Sequence, residues 1–230
     1  GMRKSWGKDF DIYTTNNIEA TQRLLEACVD SPIERLVYAS SSSVYGNLVQ
    51  MPMREDALPQ PVSPYGVSKL AAEQLCYLYF ANYGVPTVSL RYFTVYGPRQ
   101  RPDMGFHKFL RATILGQPIA VYGDGEQTRD FTFVRDVVKA NILAMNSSAE
   151  GVFNVACGRR VSLNELAAKI MKITRVSIAS VYEASRPGDV RDSLADISEA
   201  RRELGYEPDH DLDLGLQKTV EWFSRHRYLF

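Results

Sequence analysis

The sequence predicts an α/β fold built on a parallel sheet, and three observations predict it. Helical periodicities alternate with short β-rich runs along most of the chain, the order that successive βα units produce. One run, residues 35–39 (RLVYA), reads as a buried strand. It passes directly into four serines at 40–43, and ligands of open α/β sheets bind at strand carboxyl ends.

The elements follow in order. Residues 11–29 read as a helix, with Ile18, Leu24, Leu25, Cys28 and Val29 roughly on one side. A Pro-, Gln- and Asp-containing loop over 50–63 leads to Pro64, which suits the first turn of a helix. That helix runs to Tyr83 and stops at Gly84. Its apolar residues, Leu70, Leu75, Tyr77, Leu78, Tyr79 and Phe80 among them, lie nearly all round. Such a helix is buried on more than one side, under a second lobe or a second subunit. Residues 87–93 form the next strand. After Pro98 the texture changes to a loop with Arg99, Arg101, Pro102 and Gly105. A helix over 106–115, a strand over 119–122, the turn Gly123-Asp124-Gly125, a helix over 134–145 and a short strand over 152–155 come next. Ser162 with Glu165 is a capping-box signature for a helix over 163–173. The last part holds a strand near 177–182, a basic–acidic loop over 186–191 and an amphipathic helix over 212–225. The lobe boundary is expected near residue 98.

Bulk properties exclude several classes. At 230 residues and 45% hydrophobic, the chain can bury one sizeable core or two small ones. Lys+Arg and Asp+Glu balance at 27 each, so no global field recruits nucleic acid or a membrane surface. Cys28, Cys76 and Cys157 are odd in number and form no CxxC or Cys/His pattern. Neither a disulfide framework nor a metal site is expected, and reduced thiols in a cytoplasmic protein are the plain reading. No apolar run is long enough to cross a bilayer. His107, His210 and His226 show no ligand spacing.

The sharpest chemical signal is Tyr65-Gly66-Val67-Ser68-Lys69. Four residues along a helix bring Tyr65 and Lys69 onto one face. A free phenol, with a pKa of about 10, is a poor base near neutrality, and a nearby ammonium favours the phenolate. Alone the pair is a weak signal, because Tyr-x-x-x-Lys occurs often by chance. The serine cluster that ends the preceding strand strengthens it, since a hydroxyl there can hydrogen-bond both a substrate oxygen and the phenol. In isolation, residues 40–43 read more simply as a polar loop, Tyr122 as a strand aromatic, and Arg129 beside Asp130 and Arg186 near Asp189 as surface ion pairs of little worth.

Five segments in order, VYASSSSVYG, SPYGVSKLAAEQ, SLRYFTVYGPRQRPDM, VYGDGEQTRDFTFVRDVVKA and RPGDVRDSLADISEARRELGYEP, resemble the extended short-chain dehydrogenases/reductases that modify nucleotide sugars with NAD. The resemblance implies that Tyr65 is the catalytic tyrosine, that Lys69 lowers its pKa and binds the nicotinamide ribose, and that Ser41 is the catalytic hydroxyl. It implies that Ser42 and Ser43 line the sugar pocket, and that Tyr92 and Phe93 lie near the nicotinamide and the sugar. It places Tyr122 on the uracil, Arg129 and Arg186 on the diphosphate and Asp189 on the nucleotide ribose. An arginine fork suits phosphate by donating two parallel hydrogen bonds. Family members commonly pair through the 64–83 helix and the one before it, which implies a homodimer.

The shared family reaction starts with hydride transfer from the sugar C4 to NAD. Dehydratases place Asp-Glu after the catalytic hydroxyl, and UDP-glucuronate decarboxylases carry Glu before VYG. This chain has Ser42 and Ser43 there. Rotation of the 4-keto sugar and return of the hydride, which is C4 epimerisation, is then the simplest fate. The run 94–104 resembles UDP-glucuronate 4-epimerases more than UDP-glucose 4-epimerases, which usually have Asn where Thr94 stands. The hydroxyls of Ser41, Ser42, Ser43 and Thr94 can together hold a C6 carboxylate.

No glycine-rich dinucleotide motif occurs in the sequence. By the size of βα units, the chain starts on the order of 80 residues into the family pattern. The expected architecture is therefore an incomplete Rossmann-like parallel-sheet lobe over 1–98, joined by about 127–148, plus a smaller mixed α/β nucleotide-sugar lobe over 99–230. Weak NAD binding by this chain alone and uncovered strand edges are expected with it. Two other functions stay open: a catalytically idle nucleotide-sugar-binding module, and an epimerase acting on a neutral UDP-sugar.

Overall fold

The computed structural model describes residues 4–47, 50–185 and 190–226. Its main sheet is parallel, in the order β1 (Leu36–Ser41), β2 (Thr87–Tyr92), β6 (Gly151–Val155). Ser41 pairs in register with Tyr92, and Tyr92 with Val155, so the carboxyl ends of the strands finish level. Central β2 has two different faces. Val88 and Leu90 pack with Val137, Ala140 and Ala144 of α5 (Val134–Met145). Thr87 and Arg91 instead bond to α3 (Pro64–Tyr83), Thr87 through the Cys76 carbonyl at 3.0 Å and Arg91 through the Glu73 carboxylate. A buried strand carries polar residues only where each finds a partner.

α3 begins and ends as its sequence predicts. The Ser63 Oγ accepts the Gly66 N–H at 3.1 Å, Pro64 opens the first turn, and Gly84 at φ 68° donates its N–H to the Phe80 carbonyl. The preceding helix is less regular than expected. It comprises α1 (Phe10–Tyr13), a π-helical stretch (Thr14–Glu19) and α2 (Ala20–Val29). Leu25 and Cys28 pack on Ala72, Cys76 and Tyr79 of α3, but Leu24 is 55% exposed, off the expected buried side. The buried stripe of α2 is Leu25 and Cys28, three residues apart on one face, and Leu24 falls beside it.

The strand expected over 87–93 is β2, which ends one residue earlier, at Tyr92. Phe93 turns its N–H to the Val155 carbonyl at 3.2 Å, and a new strand, β3 (Thr94–Tyr96), leaves for a second sheet. There it pairs parallel with β5 (Thr128–Phe133), which pairs antiparallel with β7 (Arg160–Ser162). β4 (Ile119–Tyr122) pairs with β8 (Ser180–Glu183), three residues later than the strand expected from 177. Tyr96, Phe106, Phe109, Phe131, Phe133, Leu166, Ile170, Leu216 and Phe223 form one aromatic-rich core. It draws on α4 (Gly105–Ile114), α6 (Leu163–Thr174) and α8 (Leu212–Arg225). The helix α7 (Ser198–Leu204), unforeseen in the sequence, closes the first core with Ala200 and Leu204.

Candidate active site

A cleft of about 620 Å³ opens at the carboxyl ends of β1, β2 and β3. It brings together Ser41, Ser42, Ser43, Tyr65, Tyr92, Phe93, Thr94, Tyr122 and Arg129, drawn from positions far apart in the sequence. Lys69 is not among its lining residues. Arg186 and Asp189 lie outside the described residues.

Ser41 ends β1, and its Oγ accepts the Ser43 N–H at 3.2 Å. That bond occupies an acceptor site and leaves the hydroxyl proton to turn towards the Tyr65 phenol, which lines the same cleft and whose pKa Ser41 lowers. Tyr65 stands in the first turn of α3. Its N–H donates to the fully buried Ser5 Oγ at 3.1 Å, and Tyr13 meets its ring edge-on at 6.1 Å. Gly66 lets this turn approach the serines: a Cβ there would lie 2.5 Å from the Ser43 carbonyl oxygen. Burial raises the pKa of the phenol, whereas the Ser41 hydroxyl and the charge of Arg101 lower it.

Lys69 is directed elsewhere. Its ammonium donates to the Ala39 carbonyl at 2.8 Å and lies 5.1 Å from the centre of the Tyr38 ring, and burial lowers its pKa. Leu36 gives its N–H to Pro86 on the β2 side. Strand alternation therefore turns the Ala39 carbonyl to the opposite edge, where it is free to take the lysine. The cation whose charge acts on the phenol is Arg101, in a loop whose arginines the sequence reading noted without assigning them a role.

Among the described residues, the cleft is rich in cations, with Lys4, Arg99, Arg101, Lys108 and Arg129 against one carboxylate, Asp103, which pairs with Arg101 at 3.1 Å. The Arg129 Nη1 donates to the carbonyls of Thr128 and Arg191 at 2.8 and 3.0 Å, which fixes the direction of the guanidinium. Asp130 is not its surface partner: it is fully buried and accepts the N–H groups of Cys157, Gly158 and Ala195. Tyr122 ends β4, and Gly123 and Gly125, at φ 83° and 79°, form the predicted turn after it. Among the described residues, no cluster of His, Cys, Asp and Glu is placed to hold a metal ion.

A parallel α/β sheet with a tyrosine–serine pair and a lysine at its strand ends defines a fold of the short-chain dehydrogenase/reductase type. The family model described as the NAD dependent epimerase/dehydratase family matches residues 2–156, and the chain belongs to that family. It is 40% identical over 226 residues to an uncharacterised UDP-glucose epimerase, YtcB, of Bacillus subtilis, an alignment covering 97% of this chain and 71% of that protein. It is 35% identical over 213 residues to a UDP-glucuronate 4-epimerase of Thermodesulfobacterium geofontis, covering 92% of this chain and 66% of that one. The structure matches that of the UDP-glucuronic acid 4-epimerase of Bacillus cereus, in complex with UDP-glucuronic acid and NAD, with a TM-score of 0.93 at 41% identity, covering 98% of this chain and 72% of that one. The chain thus spans only part of the length of these relatives, 66% in one case.

Proposed function

We propose that this chain carries the catalytic and nucleotide-sugar-binding residues of an NAD-dependent UDP-sugar 4-epimerase whose substrate is UDP-glucuronate. The observation that carries the reading is that Tyr65 and Ser41 converge in a cleft that Arg129 and Tyr122 also line. Tyr65, as phenolate, accepts the proton of the sugar 4-hydroxyl, and Ser41 holds the same oxygen by donating to it. Arg129, with Arg186, binds the diphosphate; Tyr122 stacks on the uracil, and Asp189 holds the nucleotide ribose. Ser42, Ser43, Phe93 and Thr94 surround the sugar. Their hydroxyls donate to a C6 carboxylate and bring no carboxylate of their own to drive elimination. The cation-rich lining suits a substrate charged at both ends.

Tyr65, Lys69 and Tyr92 lie at or beside the ends of β1 and β2, and they fit the nicotinamide-ribose end of NAD. When bound, NAD supplies the hydride acceptor for the sugar C4. The described residues include no glycine-rich strand-to-helix turn for its pyrophosphate. The second reading is a UDP-sugar-binding module whose catalytic residues are idle. The packing of α5 on Val88 and Leu90 supports grouping about 127–148 with 1–98 as one lobe and the rest of 99–230 as the other. Leu24, Tyr77, Leu78 and Tyr83 are all exposed on α2 and α3. This apolar surface supports a homodimer paired through those helices; the proposed setting is the cytoplasm.

The test offers UDP-glucuronate and UDP-glucose separately to the chain with NAD and separates the C4 epimers by chromatography. Formation of UDP-galacturonate is expected. Turnover of UDP-glucose alone rejects the uronate assignment. Calorimetric binding of UDP, with neither NAD binding nor turnover, selects the idle module.

A further inference from the structure

Behind the cleft lies a buried polar network that the chemistry above leaves unused. Glu73, 2% exposed, sits on α3 one turn beyond Lys69 and two beyond Tyr65. Arg91, 3% exposed, precedes Tyr92 at the end of β2. The two meet through a fork, Nη2 to Oε1 at 2.5 Å and Nε to Oε2 at 3.1 Å. The Arg91 Nη1 donates to the Tyr45 hydroxyl at 2.8 Å and to the Glu55 carbonyl at 3.2 Å, and the guanidinium lies 4.7 Å from the centre of the Tyr45 ring. Tyr45 passes its own proton to Asn154 at 2.7 Å. Ser40, the neighbour of Ser41, donates to the Glu73 Oε2 at 2.6 Å.

Stability alone is a poor reason for this arrangement, because a buried ion pair holds a fold no better than apolar side chains of the same volume. What a two-pronged charged hydrogen bond adds is direction. A helix seated on a sheet by apolar contacts can shift by fractions of an ångström at little cost; a fork cannot shift without losing a bond. This fork, with the Ser40 bond to Glu73, joins the three elements that carry Tyr65, Ser41 and Tyr92.

We propose that Glu73 and Arg91 are positioning residues that set the approach of the Tyr65 phenol to the Ser41 hydroxyl, by fixing α3 to the ends of β1 and β2 through Ser40. The proposal rests on Tyr65 and Ser41 being the proton-transfer pair, but its test reads hydrogen bonding at the Tyr65 phenol and not turnover. A failure here leaves the epimerase reading standing, and an inactive chain leaves this test intact.

The full chain is made with isotope-labelled tyrosine Cζ, whose NMR shift reports hydrogen bonding to the phenol. Tyr65→Phe assigns the signal, and Ser41→Ala gives its position without the bond. Glu73→Met/Arg91→Met replaces the pair with apolar side chains of similar length, so the fold is expected to persist. In a variant shown to be folded by near-ultraviolet circular dichroism, the Tyr65 signal is expected at or near the Ser41→Ala position. A wild-type position in the folded double variant overturns the proposal. If the double variant does not fold, Ser40→Ala is read the same way: displacement towards the Ser41→Ala position supports positioning, and a wild-type signal overturns it.

Discussion

Gly66→Ala sets two effects against each other. Within a helix the substitution ordinarily stabilises by about 1 kcal/mol, because alanine loses less backbone freedom on folding. Here the new Cβ would lie 2.5 Å from the Ser43 carbonyl oxygen and 2.9 Å from the Pro61 Cβ. A relaxed carbon–oxygen contact is about 3.3 Å, so α3 and the serine turn must part by roughly 0.8 Å. The obstructing atom belongs to the backbone and has no rotamer to escape into. Overpacking of this kind costs about 1–3 kcal/mol, at the upper end here, so the clash outweighs the propensity gain. The net loss is about 1–2 kcal/mol, which lowers Tm by roughly 2–8 °C in a chain of this size. The parting falls between Tyr65 and Ser41, where a misplacement near 1 Å costs about a hundredfold in rate. Calorimetric melting measures the first effect. UDP-sugar turnover, with the Tyr65 NMR signal alongside, measures the second. A variant that melts at or above the wild-type temperature with the Tyr65 signal unmoved refutes the reasoning.

Three further outcomes follow from the same geometry. Arg101→Gln removes the charge that lowers the pKa of the Tyr65 phenol; the phenolate fraction at a given pH falls, and the rising limb of kcat/KM against pH moves to higher pH, so an unmoved limb contradicts the contact. Gly215→Ala would place a Cβ 2.0 Å from the Tyr96 hydroxyl and 3.0 Å from Phe133; despite the helical position, the urea midpoint is expected to fall by an amount equivalent to about 2 kcal/mol. Asp130→Asn turns an amide towards at least one of the N–H groups of Cys157, Gly158 and Ala195 and costs about 2–3 kcal/mol in urea unfolding. Burial pushes the Asp130 carboxyl up to about 6. The folded state therefore holds this proton more tightly than the unfolded chain, and the stability it contributes is lost as pH rises through about 4 to 6. The stability gap between wild type and Asp130→Asn should narrow from about pH 4 to about pH 7; a widening gap contradicts the assigned direction.

Local signals were readable where they were self-contained. α3 is bracketed by Ser63, Pro64 and Gly84, and β1 by its apolar run and the serines that end it. β5 was hidden because its sequence, TRDFTF, carries two charges. Asp130 becomes a core residue only through N–H groups supplied by residues 157, 158 and 195, which no local pattern reveals. β3 was not foreseen, because its three residues follow β2 after Phe93 alone and only the change of partner, from Val155 of β6 to Phe131 of β5, separates them. Within the cleft, residue types and spacing singled out Tyr65 and the serine cluster, whereas Ser41 itself, Tyr122 and Arg129 entered only through the family resemblance. The direction of Lys69 was not legible, because it depends on which edge of β1 the Ala39 carbonyl faces, a matter of strand pairing. The Glu73–Arg91 fork was missed for a similar reason: each residue reads as an ordinary surface charge until helix and strand are laid together.

Among the described residues, β1 is hydrogen-bonded to β2 alone, so one border of the main sheet ends in the backbone groups of residues such as Ala39. A bare border of this kind invites another polypeptide to add to it, and a lysine along it discourages that by placing a hydrated charge where the newcomer must dry the surface. The Lys69 ammonium holds the Ala39 oxygen on this border. A ladder bond formed to the same oxygen by an incoming backbone would compete for that acceptor and free the amine, so what lies along this border governs where the lysine can reach.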